Sequence, residues 1–164
     1  VKVTLDLEIV TKGPEETAAL GELIGGLLRP GDVLLLVGSL GSGKTCLTQG
    51  LARGMGIGES VASPTFVIVM EHRGSLPLYH VDLYRLEETA AVLDLGLDDY
   101  FYGDGVTVVE WADRAMAAMP PEHLLVRMSY LDEDRRGMVF HPEGDRCIEL
   151  TKDIASARDK KADV

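Results

Sequence analysis

Asparagine is absent from this chain of 164 residues, cysteine occurs twice, tryptophan once, and only 5% of the residues are aromatic. The missing asparagine excludes an N-K-x-D element, the usual means of reading guanine. Cys46 and Cys147 are too few and too far apart for a disulfide framework or a zinc centre. No apolar run is long enough to span a bilayer, and no basic-then-apolar leader opens the sequence, so a soluble, cytoplasmic protein without membrane contact is expected. A basic excess is lacking too. The formal net charge is −11, whereas direct nucleic-acid binders carry a basic face that displaces counterions. Any service to a nucleic-acid pathway is therefore expected to run through a protein partner, with no grip on DNA and only indirect contact with RNA.

Aliphatic residues and 18 glycines are abundant. They suit an α/β fold of apolar strands and helices packed through small residues. Val3, Leu5, Leu7 and Ile9 alternate with polar residues, as in a half-buried strand, and Pro14 to Leu28 reads as a helix with Leu20, Leu23, Ile24, Leu27 and Leu28 on one face. Val33 to Val37 has the form of a buried parallel strand, and Thr45 to Met55 that of a helix. Phe66 to Glu71 and Leu78 to Asp82 predict two strands joined across Arg73-Gly74-Ser75, and Glu87 to Leu93 a helix. Val106 to Val109 predicts another buried strand. His123 to Leu131 and Met138 to His141 predict a hairpin, Cys147 to Leu150 a short strand, and Ala155 to Val164 a fraying polar tail. The expected organisation is one domain over residues 1–154 followed by that tail, residues 155–164.

Between the apolar strand and its helix lies Gly38-Ser39-Leu40-Gly41-Ser42-Gly43-Lys44-Thr45, which fills every fixed position of the phosphate-binding P-loop, G-x-x-x-x-G-K-[ST]. Its glycines allow a tight turn with exposed N–H groups, and the helix N-terminus adds positive potential for phosphates. The motif predicts ATP binding by residues 38–46, with Lys44 reaching the β and γ phosphates and Thr45 offering its hydroxyl to Mg²⁺. Cys46 lies in the first turn of that helix, where the dipole favours a thiolate, although a small packed residue is the simpler reading.

Asp82 and Glu110 each end a predicted strand downstream of this loop, where open α/β sheets gather ligand-binding groups. Val106-Thr107-Val108-Val109-Glu110 has the form of a Walker B strand, which makes Glu110 a Mg²⁺-site acid. Asp82 is open to three roles: orienting the attacking water, holding a metal-bound water, or bracing Arg85 across a turn. His80 alternates with Asp82 on one strand face and reads as a packed histidine, since two ligands without others at suitable spacing make a weak metal pair. Ser63-Pro64-Thr65-Phe66 occupies the place of a nucleotide-responsive switch, or of a rigid proline turn. Trp111 follows Glu110 and is expected to pack in the core by default, with packing beside the site or presenting an interaction surface as the alternatives.

The ordered set of residues 38–45, Ser63 to Phe66, Tyr79-His80-Val81-Asp82-Leu83-Tyr84-Arg85-Leu86 and Val109-Glu110-Trp111 resembles the TsaE (YjeE) family of bacterial P-loop ATPases over roughly Thr11 to Trp111. The resemblance implies a P-loop NTPase-like three-layer α/β fold with a mainly parallel sheet and added antiparallel strands. It also implies Mg²⁺-dependent ATP hydrolysis that supports threonylcarbamoyladenosine formation next to the tRNA anticodon. Family members act with TsaD and TsaB, and their ATP hydrolysis serves turnover of that complex, not group transfer. Carried over, Lys44, Asp82 and Glu110 are the catalytic set, and Thr45 and Glu110 the metal pair. Thr11 to Thr17 and the turn at Asp134 to Arg136 become candidates for the adenine side. Two departures stand out: Ser39 where the family usually has Asp, and Cys46 where it often has a second hydroxyl. Beyond Leu131 the likeness is loose.

Other classes fit less well. A small-molecule P-loop kinase usually carries an arginine-rich lid, and Arg85, Arg114, Arg135 and Arg136 form no such pattern. Asp134-Arg135-Arg136-Gly137 fits D-x-x-G, but in a predicted hairpin turn. A nucleotide-dependent assembly module with little turnover differs from the ATPase reading only in whether hydrolysis is required.

Overall fold

The computed structural model describes residues 5–58, 61, 69–86, 91 and 94–162. Its centre is a seven-stranded sheet in the order β1-β7-β6-β2-β5-β4-β3. The strands are β1 (Leu7–Lys12), β2 (Val33–Gly38), β3 (Val69–Arg73), β4 (Pro77–Asp82), β5 (Val106–Glu110), β6 (His123–Tyr130) and β7 (Arg135–Glu143). β6, β2, β5 and β4 run parallel, whereas β3 pairs with β4, β7 with β6, and β1 with β7 in antiparallel fashion. The three-layer architecture and the mixed sheet expected from the sequence are both present.

Side-chain parity builds the layers. Leu34 and Leu36 of β2, Val106 and Val108 of β5, and Leu124 and Val126 of β6 enter one core, beneath helices α1 (Gly13–Gly25), α2 (Lys44–Gly54) and α4 (Asp145–Ala162). Val33, Leu35, Val81 and Val109 enter the opposite core with Phe101 of α3 (Asp98–Phe101) and Ala112 and Ala115 of a 3₁₀ stretch, Ala112–Ala118. Successive strand residues face opposite sides, so β2 must be apolar on both faces, which explains its unbroken Val-Leu-Leu-Leu run.

The first two helices pack backbone to backbone. A Cβ on Gly21 would lie 2.4 Å from the Leu47 carbonyl oxygen, and one on Gly50 would lie 2.2 Å from that of Ala18. Gly25 and Gly54 are equally close to Leu51 and Glu22. The resulting G-x-x-x-G pairs draw α1 against α2 and fix the helix that carries Lys44 at its start. The opposite end of β2 is fastened by Asp32, which is buried and accepts from Arg146 Nε at 3.0 Å, Arg146 Nη2 at 2.9 Å and the Arg29 backbone N–H at 2.8 Å. This fork of charge-assisted bonds ties the amino end of the central strand to α4.

Several expected boundaries shift. The first strand covers Leu7–Lys12 and α1 begins at Gly13, because Ile9 and Thr11, not only the residues before them, face inward. The two strands expected at Phe66 to Glu71 and Leu78 to Asp82 are present as β3 and β4, with residues 66–68 of the first outside the described residues, and β7 is longer than predicted. Cys147–Leu150 is not a strand. It belongs to α4, where Cys147, Leu150, Thr151 and Ile154 recur at helical spacing and are buried, so a short apolar cluster was assigned the wrong period. The segment from Ala155, expected to fray, continues that helix to Ala162 with a polar, largely exposed surface. The predicted helix Glu87 to Leu93 falls almost wholly outside the described residues. Among those described, no helix is long and apolar enough to cross a membrane.

Candidate functional site

Parallel strands β2, β5 and β4 deliver their carboxyl ends to one place. Register pairs Leu36 with Glu110 and Glu110 with Asp82, so the loop after β2 opens beside two acids on neighbouring strands. In that loop Gly41 and Gly43 adopt φ of +78° and +100°, backbone that side chains other than glycine rarely enter. Gly38 is required for another reason: a Cβ there would sit 2.4 Å from the Met128 carbonyl oxygen of β6. A turn of this shape, ending at the start of α2, is suited to anionic oxygens.

Lys44 is buried and its Nζ donates to the carbonyls of Gly38 at 2.7 Å and Ser39 at 2.9 Å, and to Ser42 Oγ at 3.3 Å. The same ammonium lies 4.1 Å from the ring centroid of Trp111, a cation–π contact. Burial lowers its pKa, while Glu110, Asp113 and Asp82 act in the opposite direction. Ser39, the departure from the family pattern, takes part through its carbonyl, so this contact is indifferent to its side chain.

Glu110 is 2% exposed. Thr45 Oγ1 donates to its Oε1 at 3.1 Å, and His80 Nε2 pairs with its Oε2. Asp82 is less enclosed; its Oδ1 accepts the Tyr84 backbone N–H at 2.9 Å. Burial raises the Asp82 carboxyl above its ordinary value, opposed by that N–H, and the neighbouring Glu110 raises it further. Of the predicted residues, Lys44, Thr45, Glu110 and the Gly38–Gly43 loop thus converge, and Asp82 borders them.

Cys46 Sγ donates to the Pro14 carbonyl at 3.2 Å, and burial raises its thiol pKa. Burial outweighs the lowering by Arg53, Arg136 and a backbone hydrogen bond from Ala18, so the thiolate considered from the sequence is disfavoured and the small packed residue stands. Thr17 and Arg136 both approach Gly43, which brings the two segments singled out for the adenine side to the loop. The Ser63 to Phe66 segment lies outside the described residues.

Three contacts were not legible in the sequence. His80 is a packed histidine as expected, but its packing partner is Glu110; the alternation of His80 with Asp82 held the signal, and the register with β5 completed it. Trp111 adopts φ +60°, a costly conformation for a bulky residue, and its ring both meets Lys44 and packs tilted against Tyr84, with centroids 4.9 Å apart. Arg136 reaches across from β7, donating Nε to the Gly41 carbonyl at 2.8 Å while its guanidinium lies 4.5 Å from the Tyr130 ring centroid. Asp132 organises the preceding turn by accepting from the Asp134 and Arg135 backbone N–H groups.

A family model described as "Threonylcarbamoyl adenosine biosynthesis protein TsaE" matches residues 11–138, which include every residue of this site. The tRNA threonylcarbamoyladenosine biosynthesis protein TsaE of Bacillus subtilis is 46% identical over 147 residues, 87% of this chain and 92% of the relative. Its namesake in Treponema pallidum is 38% identical over 79% of this chain and 96% of the relative, and that of Nostoc 42% identical over 86% and 90%. The crystal structure of Bacillus subtilis YdiB superposes with a TM-score of 0.81 at 38% identity, covering 95% of this chain and 98% of that one. A family model over most of the chain, a shared fold and identity of this extent lead to one conclusion: the chain belongs to the TsaE family.

Proposed function

We propose that this protein is a Mg²⁺-dependent ATP hydrolase of tRNA threonylcarbamoyladenosine biosynthesis, acting in the cytoplasm on behalf of TsaB and TsaD. The observation that carries the reading is the meeting of Thr45 Oγ1 and Glu110 Oε1 at 3.1 Å, at the mouth of a glycine-rich loop that begins a helix. Hydroxyl and carboxylate are the hard oxygen donors Mg²⁺ favours, and the ion usually keeps several waters and phosphate oxygens as its other ligands. That habit agrees with the sparseness of the donor set: among the described residues no group of three or more His, Cys, Asp or Glu forms a metal cluster. The residues therefore fit the ion. When bound, it would neutralise charge on the β and γ phosphates.

The remaining work falls to the chain itself. Backbone N–H groups of residues 38–46 hold the phosphates, and Lys44 exchanges its carbonyl partners for phosphate oxygens. Such a site acts by positioning and electrostatic stabilisation, with no covalent intermediate. Asp82, one strand beyond Glu110, would orient the attacking water, or a water that the ion holds when bound. The acidic chain meets tRNA through its protein partners, and the partners supply what a slow isolated ATPase lacks, such as a stabilising arginine or an ordered switch loop.

The test is Mg²⁺-dependent ADP production by the purified protein, alone and with TsaB and TsaD. Slow turnover that the partners accelerate, and that Lys44→Ala abolishes, is the expected result. Confirmed ATP binding and complex formation with no hydrolysis in either state would replace the ATPase with a nucleotide-dependent assembly module.

A further inference from the structure

The least explained group near the site is an imidazole. His80 is fully buried, its Nε2 pairs with Glu110 Oε2, and its Nδ1 finds no hydrogen-bond partner among the described residues. A histidine retained only for packing would be replaced at no loss by valine or leucine, and the unpartnered nitrogen makes its presence costly. Among the described residues, the polar contact this ring makes is directed at one oxygen of one carboxylate. Register explains how: His80 pairs with Val108 and Asp82 with Glu110, so His80 and Glu110 stand on the same sheet face, diagonally across β4 and β5.

We infer that His80 is a positioning residue that acts through Glu110. It donates Nε2–H to Oε2, fixes the plane of the carboxylate and leaves Oε1 directed at Thr45. Without that anchor, Glu110 is free to turn away from Thr45 and toward the Lys44 ammonium at the mouth of the loop. The anchor keeps acid and lysine in separate tasks, one beside the Thr45 hydroxyl and the other along the loop. The inference rests on the reading of Thr45 and Glu110 as the Mg²⁺ pair, and it follows the general pattern in which a hydrogen bond behind a ligand orients it.

The experiment measures ATP affinity calorimetrically, in EDTA and in Mg²⁺, together with the melting temperature of each variant. His80→Leu is expected to keep the EDTA affinity and to lose about tenfold of the affinity that Mg²⁺ adds, the usual scale for removing a ligand's outer hydrogen bond. His80→Gln, whose amide nitrogen reaches the place of Nε2, restores most of that gain. His80→Asn, whose amide reaches only the place of Nδ1, does not. In a Glu110→Gln background, His80→Leu has no further effect, because the residue it acts through is already altered. Wild-type Mg²⁺ dependence in His80→Leu, or rescue by Asn as good as by Gln, overturns the positioning role. Should His80→Leu not fold, the Gln and Asn pair still decides between the two. A wild-type protein whose ATP affinity ignores Mg²⁺ overturns the metal-pair reading, and the positioning role with it.

Discussion

The two halves of the sheet contribute in different ways. In the parallel half, β2, β5 and β4 end side by side and present half-buried Gly38 and Asp82 on either side of buried Glu110. In the antiparallel half, β6 and β7 present a turn, from which Arg136 reaches the Gly41 carbonyl through an exposed hydrogen bond. Chemistry-bearing groups arrive by strand register on one side, and a brace for the loop arrives by a long side chain on the other. Parallel strands must all point the same way, so their ends cluster without any local signal, whereas a hairpin can bring a residue to the site only by its turn and by side-chain reach. Mutations in the parallel half should therefore act on turnover, and those in the antiparallel half on nucleotide affinity.

The largest effect is expected at the junction of the two halves. Lys44→Ala should reduce ADP production by roughly 10²- to 10³-fold, the scale of losing one preorganised electrostatic group, and should weaken ATP binding as well. Retained turnover would remove Lys44 from the mechanism. Glu110→Ala tests the parallel half alone. Turnover is expected to fall by about 10²-fold while more of the ATP affinity survives than in Lys44→Ala, because in the proposed reading Glu110 would act on the phosphates only through Mg²⁺. Unchanged affinity and turnover would end its assignment. On the other side, Arg136→Ala removes the bond to Gly41, the Nη1 bonds to the Asp132 and Arg135 carbonyls and the cation–π contact with Tyr130; the one bond among these that reaches the loop is worth about 1 kcal/mol in an exposed setting. ATP affinity should weaken about fivefold with kcat nearly unchanged, as titration and steady-state kinetics would record. A fall in kcat equal to that of Glu110→Ala would erase the division between the halves.

Legibility in the sequence follows the same division. The loop was readable because its requirements are local: Gly41 and Gly43 need positive φ, and Lys44 and Thr45 stand at fixed offsets. Glu110 and Asp82 were readable because an acid that ends an apolar strand is a local pattern too. What bound them together was not. The pairing of His80 with Glu110 depends on β4 lying beside β5, which no spacing along the chain specifies, and the Arg136 contact spans the fold from β7 to the loop. Gly38 was assigned to turn flexibility, whereas its close neighbour is the Met128 carbonyl, again a feature of strand order. At the C-terminus the error was of period, since Cys147 and Leu150 show too little of α4 for helical spacing to declare itself. Stretches such as β2, apolar on both faces, survived because length and context settle what periodicity cannot.

The smallest effect separates the two acids within the parallel half. Glu110 is enclosed and bonded at both oxygens, while Asp82 accepts one backbone N–H and burial raises its carboxyl above the ordinary 3.8. The sign follows from proton linkage. The folded protein holds the Asp82 proton at pH values where the unfolded chain has released it, so this group favours folding fully below pH 3.8 and loses that contribution as pH rises through its elevated value. At neutral pH its carboxylate is a charge that the fold carries against its own stability. Asp82→Asn should therefore melt slightly higher than wild type at pH 7, with the advantage shrinking as pH falls toward 4, while ADP production declines. Melting curves across that range decide the matter. If Asn melts lower at pH 7, the Asp82 carboxylate is held as firmly as that of Glu110. If it melts higher and turns over less, Asp82 is kept for activity at the expense of stability, the trade expected of a group that meets water or metal.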